Sequence, residues 1–266
     1  MLFRSAVSNT ETLWYSYLRR DRSGMAVQDM LHAHAFASYH GVGYGGACPP
    51  PGGKKTFRES HESLLKDLRL EHILPLPIDC PNGTRILDGM RDRYVQRDPY
   101  MNETWLEAMR SQLEVSPRKD DFRVAVHMRR GDITPCNKRW AFRYLTNAHY
   151  LRVLDSYLPT NLSAHVTIFS ESKSMEPWDV FRDRGYELKL DTDIAEAWKE
   201  MATADLLILS RSSFGFVPAI LNRHGSVVFT PYEVKQRTLS PLKDWIVVDK
   251  ALVQRNLDEK GQLCAR

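Results

Sequence analysis

The sequence predicts an α/β fold, with a doubly wound parallel sheet in the C-terminal half and a smaller mixed α/β N-terminal half. Three observations carry this. From residue 122 onward, short apolar runs alternate with stretches of helical periodicity, the pattern of a parallel sheet with helices on both faces. Leu206-Leu207-Ile208-Leu209 is apolar throughout, as befits a strand covered on both sides. Phe122 to Met128 reads as a strand that runs straight into Arg129-Arg130-Gly131-Asp132, charge where a buried strand has to stop.

The chain has 266 residues, 42% apolar and 26% charged, which bounds it to one large or two small globular domains. A net charge of +4 suits an anionic substrate and is too weak to argue for nucleic acid. The expectation is that no lysine–arginine run is interleaved with aromatics. There is no apolar run of the ~20 residues a transmembrane helix needs. Met1 to Thr10 lack the apolar core of a signal peptide, so a secretory protein of this sequence would have its targeting segment elsewhere. Cys48, Cys80, Cys136 and Cys264 are too dispersed for a zinc knuckle or a redox pair, and permit two disulfides without requiring them. Sequons begin at Asn82, Asn102 and Asn161 and matter only in a secretory compartment.

In chain order, residues 11–40 read as helical. Leu13, Trp14, Tyr17 and Leu18 form one apolar face, Gly24 interrupts it, and Val27, Met30, Leu31, Ala35 and Phe36 resume it. His32, His34 and His40 do not share a face as zinc ligands would. Residues 41–53 read as a mobile loop. Gly41, Gly43 and Gly46 match a dinucleotide fingerprint only formally, because the stretch follows a helix and leads into Pro49-Pro50-Pro51. Gly53-Lys54-Lys55 lacks the first glycine and the final hydroxyl of a phosphate loop. A short helix is expected over 63–70, extended pieces at 73–78 and 85–87, and a helix opened by Asp98-Pro99 that buries Trp105, Leu106, Met109 and Leu113. The polar stretch 114–121 is taken as the boundary between domains 1–120 and 121–266.

Beyond it, strands are expected at 122–128, 165–169, 186–190, 206–209, 227–229 and 245–248. Helices are expected at 147–158, from Pro177 to Gly185, from Ile194 to about 202, and over 219–222 with Pro218 in the first turn.

Two loops carry chemistry. Arg129 and Arg130 stand at a strand's carboxyl end, where ligands of open α/β sheets bind, and guanidinium forks onto phosphate oxygens. Gly131 lets the chain turn beside the ligand, and Asp132 is placed to fix an arginine. The plainer alternative is a solvated turn with a salt bridge. Ser210-Arg211-Ser212-Ser213-Phe214 offers three hydroxyls and an arginine between a buried strand and a helix start, where N–H groups and the helix dipole favour phosphate. The alternative is one serine capping a helix. Two such loops on one sheet edge suit a diphosphate. Asp191-Thr192-Asp193 has the Asp-x-Asp form that holds a divalent metal, but Asp193 with Glu196 is also a complete helix cap, and that structural account is the stronger.

His127-x-Arg129-Arg130-x-Asp132 after a hydrophobic strand resembles the signature of the α1,2-, α1,6- and protein O-fucosyltransferases. Residues 204–214, an apolar strand running into Ser-Ser-Phe, resemble their later motif. Gly24 to Ala37 is loosely similar to the glycine turn and helix that open these enzymes. The resemblance implies a GT-B-type glycosyltransferase with two Rossmann-like domains. It further implies GDP-fucose or a related nucleotide sugar as donor, a glycan or protein acceptor, inversion, and neither cofactor nor metal. It assigns Arg129 to the β-phosphate. His127, Arg130, Glu171, Ser212, Ser213 and Phe214 would surround the donor, and Asp132 would stand beside Arg129 in the catalytic centre. Where the family often carries a guanine-reading Asp, this sequence has Ala197 with Glu196 beside it. At 266 residues the chain is short for a two-domain transferase of this kind, as expected of either a trimmed acceptor half or a fragment of a longer chain. The expected compartment is a Golgi or secretory lumen if a targeting segment is missing from this chain and the family resemblance holds, and the cytoplasm otherwise. The alternatives are a same-fold enzyme with another donor and a non-catalytic nucleotide-binding relative.

Overall fold

A computed structural model describes residues 12–19, 23–51, 58–89, 91–92, 99–113, 122–137, 139–232 and 241–265. The chain divides into two compact units, residues 1–106 and 107–266. Both are α/β with parallel strands. The stretch 114–121 lies outside the described residues.

The first unit contains β1 (Leu13–Tyr17), α1 (Ser23–Tyr39), β2 (Gly43–Cys48), α2 (Arg58–Asp67) and β3 (Arg85–Leu87), with strand order β2-β1-β3. Residues 13–17 are therefore a strand, not the first turns of a helix. Leu-Trp-Tyr-Ser-Tyr is aromatic-rich, which favours strand, and five residues are too few for helical spacing to discriminate. Gly24 does not break α1; it is buried in its first turn, where N–H groups lack helical partners in any case.

Residues 43–48 are a strand rather than a mobile loop, and their glycines have a packing cause. Leu13 and Tyr15 lie across β2 so closely that a Cβ at Gly43 would meet the Leu13 side chain and one at Gly45 would enter the Tyr15 ring. Gly46, at φ +106°, passes the Pro75 carbonyl. Cys48 is bonded to Cys80, with Cα atoms 5.4 Å apart. Residues 53–55 lie outside the described residues. The segment 73–78 begins as a turn, with Leu74 N–H donating to Leu70 at 2.7 Å. The helix expected after Asp98-Pro99 is α3 (Glu103–Arg110). Its start is set instead by Asn102, whose side chain accepts from Trp105 N–H at 3.0 Å.

The second unit contains β4 (Phe122–His127), α4 (Asn147–Tyr157), β5 (Ala164–Ser170), α5 (Asp179–Arg182), β6 (Glu187–Leu190) and α6 (Ile194–Ala202). It continues with β7 (Leu206–Leu209), α7 (Ser213–Leu221), β8 (Ser226–Phe229), β9 (Ile246–Val247) and α8 (Lys250–Cys264). Six strands, all parallel, stand in the order β6-β5-β4-β7-β8-β9. The chain starts at the centre, winds outward to β6, returns to place β7 beside β4, and winds outward the other way. The winding reverses between β4 and β7.

Strand alternation sorts the two faces. Val124, Val126 and Met128 join Ile168 and Ile208 in a core closed by Tyr150, Val153 and Leu154 of α4 and Phe181 of α5. On the other face His127 meets Phe214 of α7, which in turn meets Trp198 of α6. Side chains cap the helices: Thr146 accepts from His149 N–H on α4, Asp193 from Ala195 and Glu196 N–H on α6, and Asp249 from Ala251 and Leu252 N–H on α8. The helix expected over 219–222 begins at Ser213, so Pro218 lies in its interior. Ser212 supplies the start signal, and the lost bond to the Phe214 carbonyl is tolerated in a helix buried from Gly215 to Leu221.

Candidate functional site

The site is built at the carboxyl ends of β4, β5 and β7. At a winding reversal the loops from neighbouring strands leave towards opposite faces and open a crevice, the usual ligand position in such sheets. The 129–132 turn leaves β4, Glu171 follows β5, and residues 210–214 leave β7.

Arg129 is held between two carboxylates. One terminal nitrogen donates to Glu171 Oε1 at 3.2 Å and the other to Asp132 Oδ1. Guanidinium has five N–H donors, so two carboxylate bonds fix its plane and leave donors for a ligand. The Arg129 side chain is 16% exposed, Asp132 51% and Glu171 37%, which puts the group at a surface rather than in the core. Gly131 has φ +75°, and a Cβ there would coincide with the Glu171 carboxylate. Glycine at 131 is what lets Glu171 reach Arg129.

Arg130 points inward and is not presented to a ligand. It is 1% exposed. Its guanidinium donates to Asn147 Oδ1 at 2.7 Å and to the Arg129 carbonyl at 3.0 Å, faces Glu176 at 3.7 Å, and lies 4.3 Å over the Tyr144 ring. Adjacent residues leave a strand on opposite sides, so one arginine of the pair enters the layer under the sheet edge. Glu176 also accepts from Tyr144 Oη at 2.7 Å. Asn147, Glu176 and Tyr144 went unread in the sequence, since no local pattern ties them to residue 130. Arg211, the loop's own arginine, is likewise interior: it donates to the carbonyls of Phe142, at 2.7 Å, and Pro231.

His127 is buried, with Nδ1 2.7 Å from Ser210 Oγ and its ring stacked 5.0 Å from Phe214. Burial, reinforced by Arg129 and Arg130, lowers its pKa to about 3, so it is neutral at physiological pH. A Cβ at Gly215 would press on its Nδ1 at 2.7 Å. Ser212 caps α7 and accepts from Phe214 N–H at 3.3 Å. The first N–H groups of that nine-residue helix open at the carboxyl edge beside β4. His127, Arg129, Asp132, Glu171, Ser212, Ser213 and Phe214 thus gather at one edge; Arg130 supports it from beneath.

Asp191 and Asp193 each have a structural task. Asp191, at φ +56°, accepts from Ser172 N–H at 3.0 Å, and Asp193 caps α6. Among the described residues no cluster of three metal-ligating side chains occurs, and no helix is long and apolar enough to cross a membrane. Ala197 is buried, and the exposed Glu196 faces Lys189 at 3.7 Å. The expected absence of a basic–aromatic run fails at residues 138–144, Lys-Arg-Trp-Ala-Phe-Arg-Tyr. Arg139 and Arg143 there both pack on Trp140, at 4.9 and 4.8 Å.

No family model matches the sequence, and no curated protein matches it. Among solved structures the chain is similar to the ADP-heptose lipopolysaccharide heptosyltransferase II of E. coli, at 12% identity and TM-score 0.43, covering 96% of this chain and 98% of that one. It is similar to the iron-containing dodecameric glycosyltransferase TibC of enterotoxigenic E. coli, at 13% identity and TM-score 0.46, covering 82% of this chain and 58% of that one. It is similar to POFUT1 in an apo form, at 12% identity and TM-score 0.32, covering 84% of this chain and 75% of that one.

Proposed function

We propose that this chain is a GT-B-type glycosyltransferase that takes a sugar from a nucleotide diphosphate, with GDP-fucose as the donor favoured by the sequence motifs. The acceptor is a glycan or protein hydroxyl, and transfer proceeds with inversion and without a metal. The observation that supports this most is the pairing, at the winding reversal, of an arginine fixed in plane with a capped helix N-terminus. In transfer, the bond from the sugar C1 to the β-phosphate oxygen breaks, a bond from the acceptor oxygen to C1 forms, and the hydroxyl proton leaves to a base or water. Negative charge grows on the departing diphosphate, and preset donors aimed at it lower the barrier. Arg129 and the α7 N–H groups are those donors. His127, kept neutral with Nδ1 on Ser210, has Nε2 left for the nucleotide. Asp132 and Glu171 are ion-paired to Arg129, so they act as its positioning residues.

A second reading, the same chemistry with a different nucleotide, has one observation in its favour: neither buried Ala197 nor Lys189-facing Glu196 offers a carboxylate to a guanine edge. The two disulfides suit an oxidising lumen, which is the compartment proposed for this enzyme.

The test is nucleotide release from GDP-fucose, ADP-heptose and UDP-sugars, with a hydroxyl acceptor mixture, in EDTA. The proposal expects release from GDP-fucose that persists in chelator and is lost in Arg129→Ala. Release from another donor alone selects the second reading. Release that needs a divalent metal, or that survives Arg129→Ala, overturns both.

A further inference from the structure

The loop that follows the donor turn, described at residues 133–137 and 139–146, has little regular structure there, yet it is pinned at several points. Cys136 is bonded to Cys264 at the end of α8, with Cα atoms 5.3 Å apart. Arg211 holds the Phe142 carbonyl, the buried Lys260 donates to the Ala141 carbonyl at 3.2 Å, and Asn256 Oδ1 accepts from Thr146 N–H at 2.9 Å. Long loops tied down this firmly at a ligand edge commonly position a binding surface.

What this loop presents is Arg139, Trp140 and Arg143. Both guanidinium carbons lie within 5 Å of the Trp140 ring centroid, at 4.9 and 4.8 Å, and Arg143 also lies 5.6 Å from the Phe142 ring. Guanidinium packs on an aromatic face through the ring quadrupole, which fixes its direction without neutralising it. Among the described residues no carboxylate pairs with either arginine, and Arg143 Nε is buried with no hydrogen-bond partner. The contrast is with Arg129 and Arg130, both of which have acids. Two like charges held beside one ring repel each other, and a shared anion relieves that repulsion.

We propose that Arg139 and Arg143, oriented by Trp140, form an acceptor subsite for an anionic sugar substituent, a carboxylate or a sulfate ester. This rests on the transferase reading, because the loop leaves the same strand as Arg129 and so shares its sheet edge. A nucleic-acid strand is the less suited ligand: sequence-tolerant strand binding needs open aromatic faces for base stacking, and Trp140 has guanidinium groups packed on it.

The experiment measures binding by Trp fluorescence and calorimetry, without nucleotide, to three defined tetrasaccharides: a hyaluronan fragment bearing carboxylates, a sulfated chondroitin fragment, and neutral chitotetraose. An oligothymidine of matched charge is the fourth probe. The proposal expects the full chain to bind one or both anionic tetrasaccharides at least tenfold more tightly than chitotetraose. The carboxylate and sulfate arms identify which group is preferred. Arg139→Ala/Arg143→Ala is expected to lose that preference at least tenfold while GDP still raises its Tm; Arg129→Ala is expected to do the reverse. Equal binding of neutral and anionic sugars overturns the subsite, as do tighter binding of oligothymidine, absence of binding, or unchanged affinity in the double variant. Loss of the GDP response in the double variant would reassign these arginines to the donor. Absence of donor turnover in the wild type, with tetrasaccharide binding intact, would overturn the transferase reading and leave the anion site standing.

Discussion

The guanidinium of Arg130 donates a 3.0 Å hydrogen bond to the carbonyl of Arg129, so the buried member of the pair holds the backbone of the exposed one. Arg130 is in turn held by Asn147 and Glu176 on one side and Tyr144 on the other. Under the proposed function the pair divides the labour: one arginine meets the donor, and the other fixes where the first stands.

Arg130→Ala should therefore be a stability variant and Arg129→Ala a binding variant. Removing one partner of a buried ion pair costs about 3–5 kcal/mol. At about 2–4 °C per kcal/mol, Tm should fall by roughly 6–20 °C. Arg129→Ala should stay within a few degrees of the wild type. Equal melting temperatures for the two variants would contradict the division of roles.

Stability should depend on pH through buried histidines. Burial lowers His127 to about 3, and His34 and His149 to about 4. Each is neutral when folded and takes a proton at about pH 6.5 when unfolded. The unfolded chain then binds more protons below pH 6.5, so stability is full above that value and falls as pH drops towards the folded pKa. The slope approaches about 1.4 kcal/mol per pH unit for each histidine. Urea unfolding between pH 7 and pH 5 lies above the range in which the lowered carboxylates Glu187 and Glu259 titrate, which isolates the histidines. A flat profile over that window would count against their neutral burial.

Peptide mapping without reductant should find Cys48 joined to Cys80 and Cys136 to Cys264. The second pair spans 128 positions, and closing a loop of that order restricts the unfolded chain by about 4–5 kcal/mol. Cys136→Ser/Cys264→Ser should lower the Tm of the second unit by about 10 °C or more. Free thiols in the native protein would refute the pairing.

Asp193→Ala should cost about 1 kcal/mol by uncapping α6, and neither it nor Asp191→Asn should alter any response to divalent metal. A Mn²⁺-dependent rise in wild-type Tm that Asp193→Ala abolishes would revive the metal reading of 191–193.

The second unit was legible because its strands are short apolar runs separated by helix caps. Val124, Val126 and Met128 could be assigned to one face, and Asp193 to a helix start, from spacing alone. The first unit was less so. Leu13 to Tyr17 can be written on either period, and only its pairing with β2 decides. The glycines of β2 resembled a loop because their reason, the Leu13 and Tyr15 side chains across them, lies some 30 residues away. At the site, Asp132 was readable as a partner for an arginine of the turn, whereas Glu171 was placed near the donor only by the family resemblance, and its pairing with Arg129 appears only in the fold. The inward course of Arg130 was not readable, since its partners come from α4 and the segment before α5. The basic–aromatic run at 138–144 was present in the sequence but broken by Ala141, and its point of interest, two arginines on one indole, exists only in the folded loop.

The most direct measurement is thermal unfolding with GDP, GDP-fucose, UDP-sugars and inorganic phosphate, on the wild type and Arg129→Ala. Ligand at about 100 times its dissociation constant adds roughly 2.7 kcal/mol, or about 5–11 °C. The account predicts that a nucleotide diphosphate, GDP before the others, raises the wild-type Tm by that order, and that Arg129→Ala abolishes the rise without unfolding the protein. No rise with any nucleotide, or an equal rise in Arg129→Ala, would contradict a donor site at the β4–β7 edge.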